Sequence, residues 1–202
     1  SSSMKLTGRP PKTDLTLAEW CGRYVRRGAQ QTWSIEDNPP LKALYLDDCQ
    51  AAGDTPGMVV MKGAQTRASV YTMLKALWRT QRWTLNQGYY LPDQALAWAF
   101  SGERFAPMAD QIPAIVAGRS RDDTDNKQVR RIGDCLVYFQ WMGGKASKEA
   151  LPLDAIVFDE VHAMLLRDVE IAMERLSGND AYRWQDFIST AGYPDADIDR
   201  LF

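Results

Sequence analysis

The chain has 202 residues, 45% of them apolar, enough for one domain that buries roughly 70% of the surface its unfolded chain would expose. Its 24 basic and 26 acidic side chains leave a formal net charge of −2. Bulk charge therefore excludes a basic nucleic-acid coat and a polybasic membrane anchor, and any nucleic-acid contact must be local.

Cys21, Cys49 and Cys135 are odd in number, far apart and never in a C-x-x-C pair, which argues against structural zinc and a disulfide framework. No apolar run approaches a membrane span and no hydrophobic signal core opens the chain, so a soluble protein of a reducing cytoplasm is expected, with no membrane partner. Ser1-Ser2-Ser3 before Met4 reads as a tag remnant.

In chain order, residues 1–40 mix basic residues, prolines and a short amphipathic stretch, Leu17 to Val25. They read as an N-terminal arm leading into a core domain over 41–202. Short apolar runs then alternate with helical patterns. The strand candidates are Met58–Met61, Tyr89–Leu91, Leu136–Trp141, Ala155–Phe158 and Phe187–Ser189. Val70–Arg79 and Gln94–Met108 read as helices, the second opened by Asp93 as N-cap. Residues 118–128, GRSRDDTDNKQ, read as a charged surface loop. Continuous apolar runs such as AIVF suit strands buried on both faces. The expected fold is α/β, a mostly parallel sheet with helices on both faces, and such sheets bind ligands at the carboxyl ends of their strands.

Three stretches fall at expected strand ends. The first, KGAQTRAS (Lys62, Gly63, Ala64, Gln65, Thr66, Arg67, Ala68, Ser69), joins a strand to a helix and points backbone N–H groups at an anion. The second is IVFDE, where a carboxylate of Asp159 at the strand tip suits Mg²⁺ and its neighbour Glu160 suits polarising a water. The third is STAG, where Ser189 and Thr190 are placed to sense a γ-phosphate and pass its loss onward. Taken alone, an acidic pair after an apolar run is more often a solvated strand end, and Ser-Thr-Ala-Gly is usually only a turn. The order phosphate loop, acidic pair, hydroxyl turn is what chance rarely supplies.

From about Pro39 onward these stretches, with LPDQALAWAFSGERFAPM, resemble the ATPase domain of large terminase subunits, the DNA-packaging motors of tailed bacteriophages. The resemblance implies a P-loop NTPase fold of the ASCE/RecA-like kind, with Walker A over Lys62 to Ser69 and Walker B ending in Asp159 and Glu160. It implies ATP and Mg²⁺ as cofactors, the metal held by Ser69 and Asp159, with Glu160 as catalytic residue and Ser189 and Thr190 as coupling residues. The implied partners are double-stranded DNA, a portal protein, a small terminase subunit and further copies in a ring, in the host cell cytoplasm during virion assembly. The family's C-terminal nuclease has no counterpart here, so a chain ending after the motor domain is expected. D-E-x-H at Asp159 to His162 also fits a helicase-like DNA translocase, and a DNA- or partner-binding module with a degenerate, non-hydrolysing P-loop is the non-enzymatic alternative.

Against the family pattern, Arg67 replaces the second glycine and Ala68 the usual lysine. Lys62, whose arm starts at the loop entrance, is the expected phosphate cation ahead of Arg67. Restoring the usual loop with Arg67→Gly and Ala68→Lys is then expected to compensate for loss of Lys62. Arg104, Arg119 and Arg121, with Arg130 and Arg131, are candidate arginine fingers. Trp33 and Tyr45 are candidates to stack on adenine or to join the core, and His162, the single histidine, for a coupling role or an ordinary helix start.

Overall fold

The computed structural model describes residues 13–27, 31–46, 57–63, 65–117, 126–143, 151–178 and 183–190. The chain opens with helix α1 (Leu17–Tyr24), which Thr16 and Glu19 start with a reciprocal capping box. A short antiparallel pair, β1 (Arg26–Arg27) and β2 (Gln31–Thr32), and helix α2 (Lys42–Leu46) follow. Then come β3 (Gly57–Lys62), α3 (Ala68–Arg82), β4 (Gln87–Leu91) and α4 (Gln94–Ala99). Helix α4 runs through a π-helical stretch, Phe100–Phe105, into α5 (Ala106–Asp110), and α6 (Pro113–Val116) closes this half. The rest comprises β5 (Val129–Ile132), β6 (Cys135–Trp141), β7 (Ala155–Asp159), α7 (Leu166–Met173) and β8 (Trp184–Thr190).

Six strands make one sheet in the order β3-β8-β7-β4-β6-β5, parallel throughout except for the edge strand β5, which pairs antiparallel with β6. Side chains alternate between its faces. Tyr89, Val157 and Ile188 enter the main core with α1 and α3, while Tyr90, Phe158 and Phe187 enter a second core with Val169 and Ala172 of α7. The expected α/β architecture, with helices on both faces, is the one observed.

Two features differ from the sequence expectation. Strand β5 is one: it lies just beyond the expected charged loop and turns into β6 through Gly133-Asp134, with Gly133 left-handed at φ +58°, the two-residue hairpin for which glycine in first place is suited. The N-terminal arm is the other. From Leu17 onward it belongs to the main core, because α3 is buried all round from Tyr71 to Thr80 and needs cover on its outer side. Leu17, Trp20 and Cys21 of α1 supply that cover, and Leu15 O accepts from Trp78 Nε1 and Arg82 Nη1.

Candidate functional site

Strands β3, β8 and β7 are adjacent and parallel, so their carboxyl ends open on one side of the sheet. Lys62, last in β3, stands in register with Thr190, last in β8, and Asp159, last in β7, with Ile188. The Lys62 arm crosses β8 to reach the acidic pair. Its Nζ lies 2.9 Å from Glu160 Oε1 and 3.3 Å from Asp159 Oδ1, and donates to Ser69 Oγ at 3.3 Å. The side chains of Lys62 and Asp159 are 9% and 2% exposed, whereas Glu160 keeps 32%. Burial alone would lower the Lys62 pKa, but the Asp159 and Glu160 carboxylates outweigh it and raise it above the ordinary value, so the ammonium is charged at neutral pH.

Beside this cluster is a cavity of about 530 Å³ lined by Gly63, Gln65, Thr66, Arg67, Ala68, Ser69 and Arg104 together with Lys62, Glu160 and Thr190. Thr66 Oγ1 closes the loop on Gly63 O at 3.2 Å; Ala64 lies outside the described residues. Gln65 and Arg67 are left-handed, both at φ +62°, and so is Glu160 at +61°. Each costs about 1 kcal/mol or more for a side-chain-bearing residue, and all three lie on the loop or at its carboxylate. Arg67 is N-cap of α3 without a side-chain capping bond; Val70 N donates to Arg67 O at 3.0 Å, and the N–H groups of Ala68 and Ser69 begin the helix at the loop, where an anion would meet them.

The donor set fits a hard divalent cation. Ser69 Oγ and Asp159 Oδ1 already flank one positive charge, the Lys62 ammonium. Among the described residues no three His, Cys, Asp or Glu gather as an all-protein metal cage. Mg²⁺ needs none, since it takes one or two carboxylates and completes its shell with water and phosphate.

Two hydroxyl networks support the carboxylates. Tyr89 Oη is 3.1 Å from Asp159 Oδ2 and 2.8 Å from Thr72 Oγ1. Burial first, then the charge of Asp159, pushes the Tyr89 phenol well above its usual pKa. On the other side, His162 N donates to Ser189 Oγ at 3.1 Å, and His162 Nδ1 lies 3.1 Å from Ser189 Oγ, 3.2 Å from Thr190 Oγ1 and 3.4 Å from Glu160 Oε2. The histidine thus bridges the acidic pair and the hydroxyl turn, while Tyr89 and Thr72 form a contact that the sequence reading missed.

The remaining candidates separate. Arg104 projects from the π-helical stretch, lies over the Phe100 ring and borders the chain's own cavity. Arg119 and Arg121 lie outside the described residues. Arg130 donates to Ser101 and Arg131 to Gly133 O on β5, the sheet edge opposite β3. Tyr45 is not an adenine platform: it is buried in the core between Trp33 and Tyr71, ring centroids 4.9 Å from each. Trp33 instead faces a smaller recess of about 130 Å³ that shares Arg67 and Val70 with the main cavity. Cys21 and Cys135 are buried free thiols, and among the described residues no helix is long and apolar enough to cross a membrane.

A mostly parallel sheet with a strand–loop–helix unit at β3–α3 and an acidic strand tip two strands away is an α/β arrangement of P-loop-like fold. Among solved structures, the chain is similar to the bacteriophage HK97 large terminase, with TM-score 0.71 at 12% identity over 92% of this chain and 39% of that one. It is also similar to the Thermus phage P74-26 large terminase ATPase domain, with TM-score 0.53 at 14% identity over 72% of this chain and 63% of that one. Its fold is therefore that of phage large-terminase ATPase domains, and it spans about two fifths of the length of the HK97 protein. No protein-family model and no curated protein matches the chain.

Proposed function

We propose that this chain is the ATPase motor part of a terminase, coupling ATP hydrolysis to movement of double-stranded DNA into a viral procapsid. One observation carries the reading: Lys62 at the tip of β3 and Asp159 and Glu160 at the tip of β7, with β8 between them, converge with Ser69 of α3 beside a loop-lined cavity. In this reading the loop N–H groups and Lys62 hold the β- and γ-phosphates, and an incoming triphosphate competes with both carboxylates for the lysine. Ser69 and Asp159 would hold Mg²⁺, which when bound would neutralise phosphate charge. Glu160, one third exposed at the cavity, orients and polarises the attacking water. Arg67 and Val70 border both the main cavity and the Trp33 recess, and in this reading the recess would take the base, while Arg104, which borders the main cavity, would face the transferred-phosphate charge.

Coupling runs from Glu160 through His162 to Ser189 and Thr190. The partners in this reading are double-stranded DNA, a portal protein and a small terminase subunit. Copies form a ring on the portal in the host cytoplasm, with Arg119 or Arg121 available as a finger to a neighbouring site.

The test is nucleotide binding and phosphate release by the full chain, with and without double-stranded DNA, for the parent and Glu160→Gln. The motor reading requires binding in both and turnover only in the parent; a parent that binds no nucleotide ends it. A second reading, a nucleotide-binding module that does not hydrolyse, is favoured by the engagement of Lys62 with both carboxylates and by Arg67 and Ala68 in the loop. Binding without turnover in the parent selects it.

A further inference from the structure

The two oxygens of Asp159 face different ways. Oδ1 looks toward Lys62 and Ser69, whereas Oδ2 meets the Tyr89 hydroxyl at 3.1 Å on the neighbouring strand β4. Behind Tyr89, its Oη lies 2.8 Å from Thr72 Oγ1, which is on α3 three residues past Ser69 and also 3.0 Å from Ser69 O. Tyr89 and Thr72 are each 1% exposed. A carboxylate paired with Lys62 only accepts, so the single phenolic proton goes to Asp159 Oδ2, and the phenol oxygen accepts from Thr72 at 2.8 Å, the shortest of three contacts that share the one Thr72 proton with Ser69 O and Ala68 O. The result is a directed chain, Thr72 to Tyr89 to Asp159, that begins on the helix carrying one metal-binding oxygen and ends on the carboxylate carrying the other.

We propose that Tyr89, backed by Thr72, is a positioning residue for the divalent cation: by holding Oδ2 it fixes the carboxylate plane so that Oδ1 and Ser69 Oγ are presented together. This rests on the proposed metal role of Ser69 and Asp159. The outer partners of metal ligands act in this way, and their loss costs about 10- to 100-fold in metal affinity. A tyrosine serving only as core filling would leave metal affinity unchanged when its hydroxyl alone is removed, because the ring still packs against Phe100 and Phe139.

The experiment titrates Mn²⁺ into the full chain with a non-hydrolysable ATP analogue, reading free Mn²⁺ by electron paramagnetic resonance. Nucleotide affinity without metal and the thermal midpoint are measured alongside. Tyr89→Phe is expected to weaken Mn²⁺ binding about tenfold or more with metal-free nucleotide affinity unchanged. Thr72→Val is expected to weaken it less, and Thr72→Ser, which keeps the hydroxyl, to restore it. Should Tyr89→Phe not fold, the Thr72→Val and Thr72→Ser pair decides. Equal Mn²⁺ affinity for Tyr89→Phe and parent overturns the positioning role while leaving the metal reading intact. A parent that binds nucleotide but no Mn²⁺ overturns the metal reading, and this inference with it.

Discussion

At its first turn α3 meets Lys62, Asp159 and Glu160 around Ser69; further along, Lys75 and Arg79 of the same helix close on Asp186 of β8. In the second cluster Lys75 Nζ lies 3.0 Å from Asp186 Oδ1 and Arg79 Nη1 2.7 Å from Oδ2, with all three side chains at most 4% exposed. The first joins two carboxylates to one ammonium and opens through Glu160 to a cavity. The second joins two cations to one carboxylate and is sealed, with Arg79 over the Trp184 ring. Similar ionic chemistry therefore serves two ends. Without water access the pairing locks helix to sheet. With access, and with two carboxylates to one ammonium, the pairing stays open to the cavity, as the proposed exchange with a metal-bound triphosphate requires.

Removing the sealed carboxylate breaks the comparison most severely. Asp186→Ala leaves two cations in the core without it, at a cost of about 3–5 kcal/mol, a large share of a typical domain stability of about 5–15 kcal/mol. Urea denaturation is expected to show little or no cooperative unfolding, and replacing all three residues by apolar ones of similar size to restore it. The parent also has an acid signature. Burial pushes the Asp186 carboxyl up, but Arg79 and then Lys75 outweigh it and hold it below the usual range. A depressed folded-state pKa contributes stability above the unfolded value, about 3.9, and loses it as pH falls through the lower folded value. Stability measured by urea titration should be flat in this contribution near neutrality and fall below about pH 4.

Lys62→Ala comes next. It is expected to abolish ATP-dependent activity and also to weaken the fold. An exposed loop lysine would contribute little, but this side chain is largely buried and lies between two carboxylates, so a loss of about 1–3 kcal/mol is expected. Calorimetry with phosphate release checks both. The expected compensation by Arg67→Gly with Ala68→Lys meets a constraint: Ala68 is 2% exposed and packs in the main core, but it also lines the cavity, so a lysine there has to extend into the cavity to keep its charge solvated. Activity regained by the triple variant supports that path, and a triple variant as inactive as Lys62→Ala excludes it.

The strand tips were legible because apolar runs ending in Lys62, Asp159 and Thr190 report both the strand and its end. The core role of Trp20 was not: an amphipathic helix shows that it covers something, not what. Lys75 and Arg79 sit at i and i+4, the spacing of a solvated face, and only the sheet order that brings Asp186 beneath them shows otherwise. Tyr89 and Thr72 are 17 residues apart and meet Asp159 only because β4 lies beside β7. Strand β5 had a signal, Gly-Asp between two short apolar-containing runs, that the reading passed over.

Within the open cluster, Glu160→Gln separates chemistry from binding. It keeps the side-chain shape but not the base, so turnover is expected to fall about 10²-fold or more, with nucleotide affinity and thermal midpoint close to the parent. Unchanged turnover removes Glu160 from the catalytic role and leaves the open cluster as structural as the sealed one.

The smallest effect concerns the link from the open cluster to β8. In His162→Ala the backbone N–H remains able to donate to Ser189 Oγ, but the ring contacts to Ser189, Thr190 and Glu160 are lost. A hydrogen bond contributes about 1 kcal/mol, which corresponds to about fivefold in a rate. Stimulation of phosphate release by double-stranded DNA is therefore expected to drop about fivefold in His162→Ala, while DNA-free release changes less. Ser189→Ala removes the backbone's acceptor as well, so its loss of stimulation should be at least as large, and the double variant should lose little more than Ser189→Ala alone, as residues on one path do. Additive losses would place His162 and Ser189 on separate paths and confine coupling to β8.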